Sequence, residues 1–186
     1  MNKYSTFWRR FWAEWIDILV FLPWIILNHF VRRFNPTTVV LICWVVLYFV
    51  VFRAYKIVLH ARYGQTVGKA VTRIRVMNVA ENRLPTATES FLREIGSVIL
   101  SGCILGYWIY LISIHNYSPK AIHASVVLSV LYTLDWGWIA LELVSMLTNS
   151  KRRAIHDLIA GTVVVRTTSE PSAVFPTMKV ATLPLN

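Results

Sequence analysis

The chain has 186 residues, of which 56% are hydrophobic, and its mean hydropathy is +0.53. A composition this apolar, with eight Trp residues, excludes an ordinary soluble domain and indicates an integral membrane protein. The net charge of +10 would suit a nucleic-acid-binding protein, but most Lys and Arg residues stand beside apolar segments, so we interpret them as determinants of membrane topology and expect no nucleic acid partner.

The chain contains four apolar segments. Each is about 20 residues long or slightly longer, which is enough to cross a bilayer as a helix. Backbone polar groups inside a bilayer must be paired within their own segment, so each segment is predicted to be helical. The predicted spans are residues 11–30, 38–59, 91–113 and 123–147. The predicted fold class is therefore all-α, a transmembrane bundle of four helices.

Lys and Arg residues are distributed unevenly around these spans. The N-terminal head, the central loop (residues 60–90) with its edge, and the C-terminal segment carry 14 of them, whereas the two short loops carry 3. The positive-inside rule then predicts that both termini and the central loop are cytoplasmic, where the basic residues meet anionic lipid head groups. With no recognisable cleavable signal, this N-in/C-in topology suggests a bacterial inner membrane.

The first span contains ionisable residues. Arg10, Glu14 and Asp17 are four and three residues apart, so they lie along one helical stripe. Asp17 lies roughly 9 Å inside the boundary at a rise of about 1.5 Å per residue. An ionised side chain there costs roughly 2.5–3.5 kcal/mol, so we expect Asp17 to face the protein interior or a watery cavity. Arg10 and Glu14 could instead form an interfacial pair, and Pro23 is predicted to kink the outer half of the helix.

Charged residues also occur in the second and fourth spans. Arg53 is close to the predicted depth of Asp17, so it could form an ion pair with it or extend to the head groups. Asp135 is predicted near the middle of the bilayer, and Glu142 is seven residues further along the same helical face. Two acids on one face of a membrane helix are unsuited to face lipid. For Asp135, a structural hydrogen bond to an indole or a neighbouring helix is the alternative interpretation.

The third span carries small residues at four-residue spacing, a pattern typical of close helix packing. They are Ser97 with Ser101 and Gly102 with Gly106. This packing could occur inside the monomer or at the interface of a homo-oligomer, and the sequence does not distinguish the two.

The central loop is predicted to contribute a small cytoplasmic β element. Residues 74–79 alternate between apolar and polar side chains, and residues 162–165, after Gly161, form a second candidate strand that could pair with them. The segment from Gly64 to Lys69 resembles a phosphate loop, but only three residues separate its glycines and Ala70 replaces the required Ser or Thr. We therefore expect no nucleotide cofactor. Residues 1–166 are predicted to form a single membrane domain and residues 167–186 a flexible tail.

Three blocks of sequence resemble the RDD family of small membrane proteins. They are FWRRFWAEWIDIL, YGQTVGKAVTRIRVMN with FLRE, and RRAIHDLIAGTVVV. Arg10 and Asp17 match the arginine and first aspartate of the family name in position and spacing, and Asp157 matches the second aspartate. The resemblance implies transport of unspecified ligands, which is the usual proposal for this family. The chain differs from the simplest two-span pattern in having four spans, and it carries Glu14 where many relatives are uncharged.

Two functions follow as hypotheses from the charged residues. The first is a transporter of a small solute, most plausibly exchanging a cation for a proton at Asp17, Asp135, Glu142 and Glu14, with Arg53 tuning these carboxylates and two copies forming a homo-oligomer. The second is a scaffold or accessory subunit that binds a partner or anionic lipid through its basic face. No enzyme is predicted, because no Ser or Cys nucleophile or metal-ligand spacing accompanies the adjacent His156 and Asp157. Asp157 is expected to pair with Arg10 at the inner surface.

Overall fold

The computed structural model describes residues 3–34, 36–114, 122 and 125–167. Helices and strands follow one another as α1 (Phe7–Val20), α2 (Leu22–Arg33), α3 (Thr38–Tyr63), α4 (Val67–Val71), β1 (Ile74–Asn78), α5 (Ala87–Ser113), α6 (Val126–Ser145), α7 (Ile155–Ile159) and β2 (Thr162–Arg166). Four helical segments are long and apolar enough to cross a membrane: Phe7–Val31, α3, α5 and α6. The predicted all-α bundle with four spans and a small β element is confirmed.

Two of the predicted span boundaries were too short on the side of the central loop. Helix α3 continues to Tyr63 and ends at Gly64, whose φ of +69° places it in the left-handed region that favours glycine. Helix α5 begins at Ala87, because Thr86 and Glu89 form a reciprocal capping box around its first turn. The central loop is therefore shorter than predicted, because a helix occupies each of its ends.

The first span consists of two helices, because Phe21 interrupts it. Helix α1 ends at Val20 and α2 starts at Leu22, so the bend falls just before Pro23, which occupies an opening position of α2 where its missing N–H group disrupts no hydrogen bond. The Phe21 ring is buried and packs edge-on against Phe52 and Tyr55 of α3, with ring centroids 4.9 and 5.2 Å apart. Phe21, which lies at the predicted kink, therefore also anchors the first span to α3.

Aromatic and small side chains bring the spans together. Trp24 of α2 stacks on Trp44 of α3 at 4.7 Å between ring centroids, and Trp44 Nε1 donates to Asn28 Oδ1 at 3.1 Å. Helix α5 packs between α3 and α6. At the α5–α6 contact a Cβ atom on Gly96 would lie 2.3 Å from the Trp138 ring, so glycine makes this approach possible.

The small residues predicted to pack helices have two different surroundings. Ser97 and Ser101 face α3, where both accept hydrogen bonds from Arg53. In contrast, a Cβ atom on Gly102 or Gly106 would meet no described atom within 4 Å. Of the two packing alternatives, close packing inside the monomer is therefore not found for these glycines among the described residues. Their face of α5 is open within the described part of the chain.

The β element and two short helices form a compact unit, here called the cap, which consists of α4, β1, α7 and β2. Strands β1 and β2 pair antiparallel, with Ile74 opposite Arg166 and Asn78 opposite Thr162, which confirms the predicted pairing. Gly161 has the expected positive φ of +64°. Apart from Thr167, the predicted flexible tail lies outside the described residues, as does Lys120 of the second short loop.

The cap rests on the start of the first span. Its buried apolar core joins Ile74, Val76 and Val164 to Ala13 of α1, and all four residues are fully buried. The backbone N–H of Arg166 donates to the carbonyl of Lys3 at 3.1 Å, so the N-terminal residues run beside β2. The cap thus links the beginning of the chain to the segment that follows the last span.

Candidate functional site

A buried ion network joins the first span, α5 and the cap. Arg10 Nη1 donates to Asp157 Oδ2 at 2.6 Å, and Arg93 Nη1 donates to the second carboxylate oxygen, Oδ1. The exposed fractions of the three side chains are 8%, 3% and 0% for Arg10, Arg93 and Asp157. The expected pairing of Arg10 with Asp157 is therefore present, and Arg93 is a third member that the sequence analysis did not identify.

Asp157 also organises its own helix. Its Oδ2 accepts the backbone N–H of Ala154 at 3.1 Å, which caps the first turn of α7. Burial by itself would raise the pKa of Asp157, but the neighbouring charges of Arg10 and Arg93 lower this pKa well below its ordinary value. Asp157 therefore stays ionised and holds two guanidinium groups inside the protein.

His156 extends the network to the last span. Arg93 Nη2 lies 3.0 Å from His156 Nε2, and His156 Nδ1 lies 2.7 Å from Glu142 Oε1 on α6. Because a guanidinium group can only donate, Nε2 accepts and Nδ1 is left to donate to Glu142. Glu142, which was predicted as an ion-binding residue, is thus a partner of His156 at the cap.

Asp17 is enclosed by three hydrogen-bond donors and is 1% exposed. Its Oδ1 accepts from Tyr55 Oη at 2.7 Å and from the Gly68 backbone N–H at 2.8 Å, while Oδ2 accepts from Thr66 Oγ1 at 2.6 Å. A carboxylate with this many donors is satisfied in its ionised form. The expectation that Asp17 faces the protein interior agrees with this geometry.

The glycine-containing block that resembles a phosphate loop binds this carboxylate. Thr66 is the N-cap of α4, and Gly68, with its N–H directed at Asp17, lies in the first turn. A Cβ atom on Gly68 would lie 2.0 Å from the carbonyl oxygen of Ala13, so only glycine allows α4 to approach α1 this closely. The helix start that could hold a phosphate in another protein holds an aspartate of its own chain here.

Two pairings that the sequence analysis offered as alternatives do not occur. Arg53 does not pair with Asp17, because its Nη1 donates to Glu94 Oε2 at 3.1 Å and its Nη2 donates to the Ser101 hydroxyl at 2.6 Å. Glu14 does not pair with Arg10 either. Lys56 Nζ and Lys69 Nζ lie 2.8 and 3.3 Å from its carboxylate oxygens, so two lysines surround this acid, whose side chain remains 49% exposed.

A cavity of about 550 Å³ opens among α2, α3, α5 and α6. Such a volume lies within the range of about 300–1,000 Å³ in which proteins hold small ligands. Aromatic and aliphatic side chains form most of its wall, and the charged residues are Arg53 and Asp135. The lining residues are Trp24, Ile25, Asn28, Trp44, Val45, Tyr48, Phe49, Phe52, Arg53, Ser101, Ile104, Leu105, Trp108, Tyr132 and Asp135.

Asp135 differs from the other predicted carboxylates. It lies midway along α6, and within the described part of the chain its carboxylate forms neither a hydrogen bond nor an ion pair. The alternative interpretation of Asp135, a structural hydrogen bond to an indole or a neighbouring helix, is therefore not found among the described residues. Of the four acids predicted to bind ions, Asp135 is the one that combines a mid-span position with a carboxylate open to a cavity.

These observations define a class of protein: a four-span integral membrane protein whose cap is joined to the spans by buried aspartate–arginine contacts. A model of the RDD family matches residues 4–161, so the chain belongs to this family. The matched range includes Arg10, Asp17 and Asp157, the residues through which the cap and the spans are connected. Searches of curated proteins and of solved structures give no significant match.

Proposed function

We propose that the protein transports a small solute by exchanging a cation for a proton, and that Asp135 carries each of them in turn. The observation that carries this proposal is the carboxylate of Asp135, which has no partner among the described residues and lies at the wall of the cavity, halfway along a membrane span. An intramembrane ionisable residue without a structural partner is a functional candidate by default. A carboxylate can hold either a cation or a proton, so the two ligands compete for one site.

The remaining charged residues support this assignment by having structural roles of their own. Asp17 and Asp157 are buried and fully hydrogen-bonded, and Glu142 is bound to His156. Arg53 lines the cavity, but Glu94 and Ser101 hold its guanidinium group. The proposal therefore narrows the exchange site from the four carboxylates named in the sequence analysis, Asp17, Asp135, Glu142 and Glu14, to Asp135.

Two further parts of the proposal concern assembly and location. The open face of α5 around Gly102 and Gly106 would allow a second copy to approach closely, so we propose a homo-oligomer joined through this face. We also propose that the membrane is a bacterial inner membrane with the cap in the cytoplasm, in keeping with the excess of Lys and Arg on the side of the cap.

A second candidate is a non-transporting scaffold or accessory subunit. It is favoured by a specific observation, namely that Asp17 and Asp157 are buried and hydrogen-bonded to several protein donors each, as a structural network requires. The basic side chains Lys3 and Lys151, which are 56% and 41% exposed, would then bind a partner or anionic lipid.

Proton flux in sealed proteoliposomes tests the proposed exchange. Vesicles containing a pH dye are challenged with sodium, lithium, potassium and a quaternary organic cation, with the wild type compared with Asp135→Asn. We expect a cation-dependent pH change that the variant loses, because an amide can neither release a proton nor balance a cation. Absence of flux from a folded wild type under all four cations refutes exchange and favours the scaffold.

Asp17→Asn is the matched control, because it makes the same chemical change at an enclosed carboxylate. It should lower the yield of folded protein, since Asn cannot accept all three donors that Asp17 accepts. Flux per folded molecule should remain that of the wild type. If instead Asp17→Asn abolishes the flux of folded protein and Asp135→Asn does not, the exchange site is wrongly assigned.

A further inference from the structure

We infer that the cavity binds an organic cation with an aromatic or bulky apolar body, in preference to a bare metal ion or an organic anion. This inference rests on the proposed function, because it names the class of cation that Asp135 exchanges. It follows from the charges at the cavity, from its aromatic wall and from the state of its neighbouring oxygen atoms.

The charges at the cavity favour a cation. Arg53 and Asp135 are the two charged side chains in the wall, and Arg53 has its own counter-ion in Glu94, at 3.1 Å. The hydroxyl of Ser101 and the carbonyl of Ser97 also accept from Arg53. With the Arg53 charge balanced, the cavity is left with the single negative charge of Asp135, which a monovalent cation would neutralise.

Aromatic side chains form much of the cavity wall. Trp24 and Trp44 both line it and stack on each other with their ring centroids 4.7 Å apart, which leaves the outer face of each indole for a ligand. Cations are attracted to the faces of Trp and Tyr rings, most strongly where water is excluded. Phe52 is less suited to this role, because the guanidinium carbon of Arg53 already lies 5.5 Å from its ring centroid.

The described residues hold no set of ligands for a metal ion at Asp135. Hard metal ions require several oxygen ligands that converge on one point, and no group of three or more His, Cys, Asp or Glu side chains among the described residues could hold one. Two neutral side chains of the cavity wall already use an oxygen as a hydrogen-bond acceptor: Asn28 Oδ1 accepts from Trp44, and the Tyr132 hydroxyl accepts from Trp108 Nε1 at 3.2 Å. An organic cation needs only the carboxylate for its charge and apolar surface for its body, and the cavity supplies both.

Equilibrium binding with two probes of equal shape and opposite charge tests this inference. Radiolabelled tetraphenylphosphonium is the cation and tetraphenylborate is the anion, each measured on full-length protein in detergent micelles without any ion gradient. We expect saturable binding of tetraphenylphosphonium that unlabelled cation displaces and sodium does not. Asp135→Asn should weaken this binding by at least about tenfold, because the ligand loses a counter-ion in a desolvated site.

Glu142→Gln serves as the matched control, since Glu142 lies on the same helix, contacts His156 and is absent from the cavity wall. It should leave the affinity for tetraphenylphosphonium unchanged, and Asp135→Glu should restore most of it. Each variant is compared at equal amounts of folded protein, judged by gel filtration. This comparison separates a lost counter-ion from a misfolded bundle.

Four results would overturn the inference: no saturable cation binding, displacement by sodium, binding of tetraphenylborate with equal or higher affinity, or an affinity that Asp135→Asn leaves unchanged. Failure here is distinct from failure of exchange. Sodium-dependent proton flux without probe binding would leave the exchange proposal intact and refute the organic cation. Probe binding that depends on Asp135, without flux under any gradient, would refute the exchange proposal and leave the organic-cation site intact.

Discussion

Asp157→Ala should destabilise the protein more than any surface substitution in the cap. The change removes both acceptors of the Arg10 and Arg93 guanidinium groups, whose side chains are 8% and 3% exposed. Removing one partner of a buried ion pair costs about 3–5 kcal/mol. Two arginines lose a partner here, but Arg10 keeps its hydrogen bond to Thr6, at 3.1 Å, and Arg93 keeps Thr162, at 3.0 Å, so the total should stay within that range.

Thermal unfolding of the detergent-solubilised protein, followed by the fraction that remains monodisperse on gel filtration, measures this loss. At roughly 2–4 °C per kcal/mol for a chain of this size, the midpoint should fall by about 6–20 °C. Lys3→Ala is the control beside the cap, because Lys3 is 56% exposed and its ion pair with Glu81 lies at the surface. If Asp157→Ala melts with the wild type, or no lower than Lys3→Ala, the buried network does not hold the cap in place.

Two other predictions concern packing and pH. Gly68→Ala should cost about 1–3 kcal/mol of stability, because its Cβ atom would overlap the Ala13 carbonyl oxygen. Gly137→Ala is the control, because its Cβ atom would meet no described atom within 4 Å, and it should not lower the midpoint. Equal losses in both variants would contradict the geometry. Stability should also depend on acid through Asp157. The pKa of Asp157 is lower in the folded protein than its ordinary value of 3.8, so the unfolded chain takes up the proton first as the pH falls. The stabilisation that ionised Asp157 gives to the folded state is therefore complete above pH 3.8 and declines below it. Chemical denaturation at a series of pH values should show this decline in the wild type and a flatter profile in Asp157→Asn.

The sequence was sufficient to predict the spans and the strand pair of the cap because both depend on patterns of apolar residues. Segment length specified the four helices, and the alternation of residues 74–79 specified β1 and, with residues 162–165, its pairing with β2. The Arg10–Asp157 contact was also predicted, since both residues belong to conspicuous charged blocks placed at the same membrane surface. These features depend on depth in the bilayer and on local periodicity, which a single sequence contains.

The partners of the intramembrane charges could not be predicted in the same way. Arg53 and Asp17 were matched by depth, but spans that are apolar on nearly every side give little indication of which face meets which neighbour. Arg53 therefore turned out to face Glu94. The donors to Asp17 depend on the docking of α4 against Ala13, a tertiary contact that follows from the absence of a side chain at Gly68.

Small residues posed a similar problem. The spacing of Gly102 and Gly106 indicated a close helix approach, and a close approach does occur on α5, but at Gly96 against Trp138. A glycine permits an approach without specifying the helix that makes it. Arg93 could have been found from its position in the FLRE block, one of the segments that carry the family resemblance, because a conspicuous cation at the edge of a span requires an anion nearby.

The contact between Arg10 and Asp157 spans 147 residues of the chain, and this separation has a consequence for biosynthesis. At a synthesis rate of about 5–20 residues per second, Arg10 leaves the ribosome roughly 7–30 s before Asp157. All four spans are complete by residue 145, yet a nascent chain of that length still lacks the anion that pairs with Arg10 and Arg93. A chain that ends before Asp157 would therefore leave the guanidinium groups of Arg10 and Arg93 without their shared carboxylate.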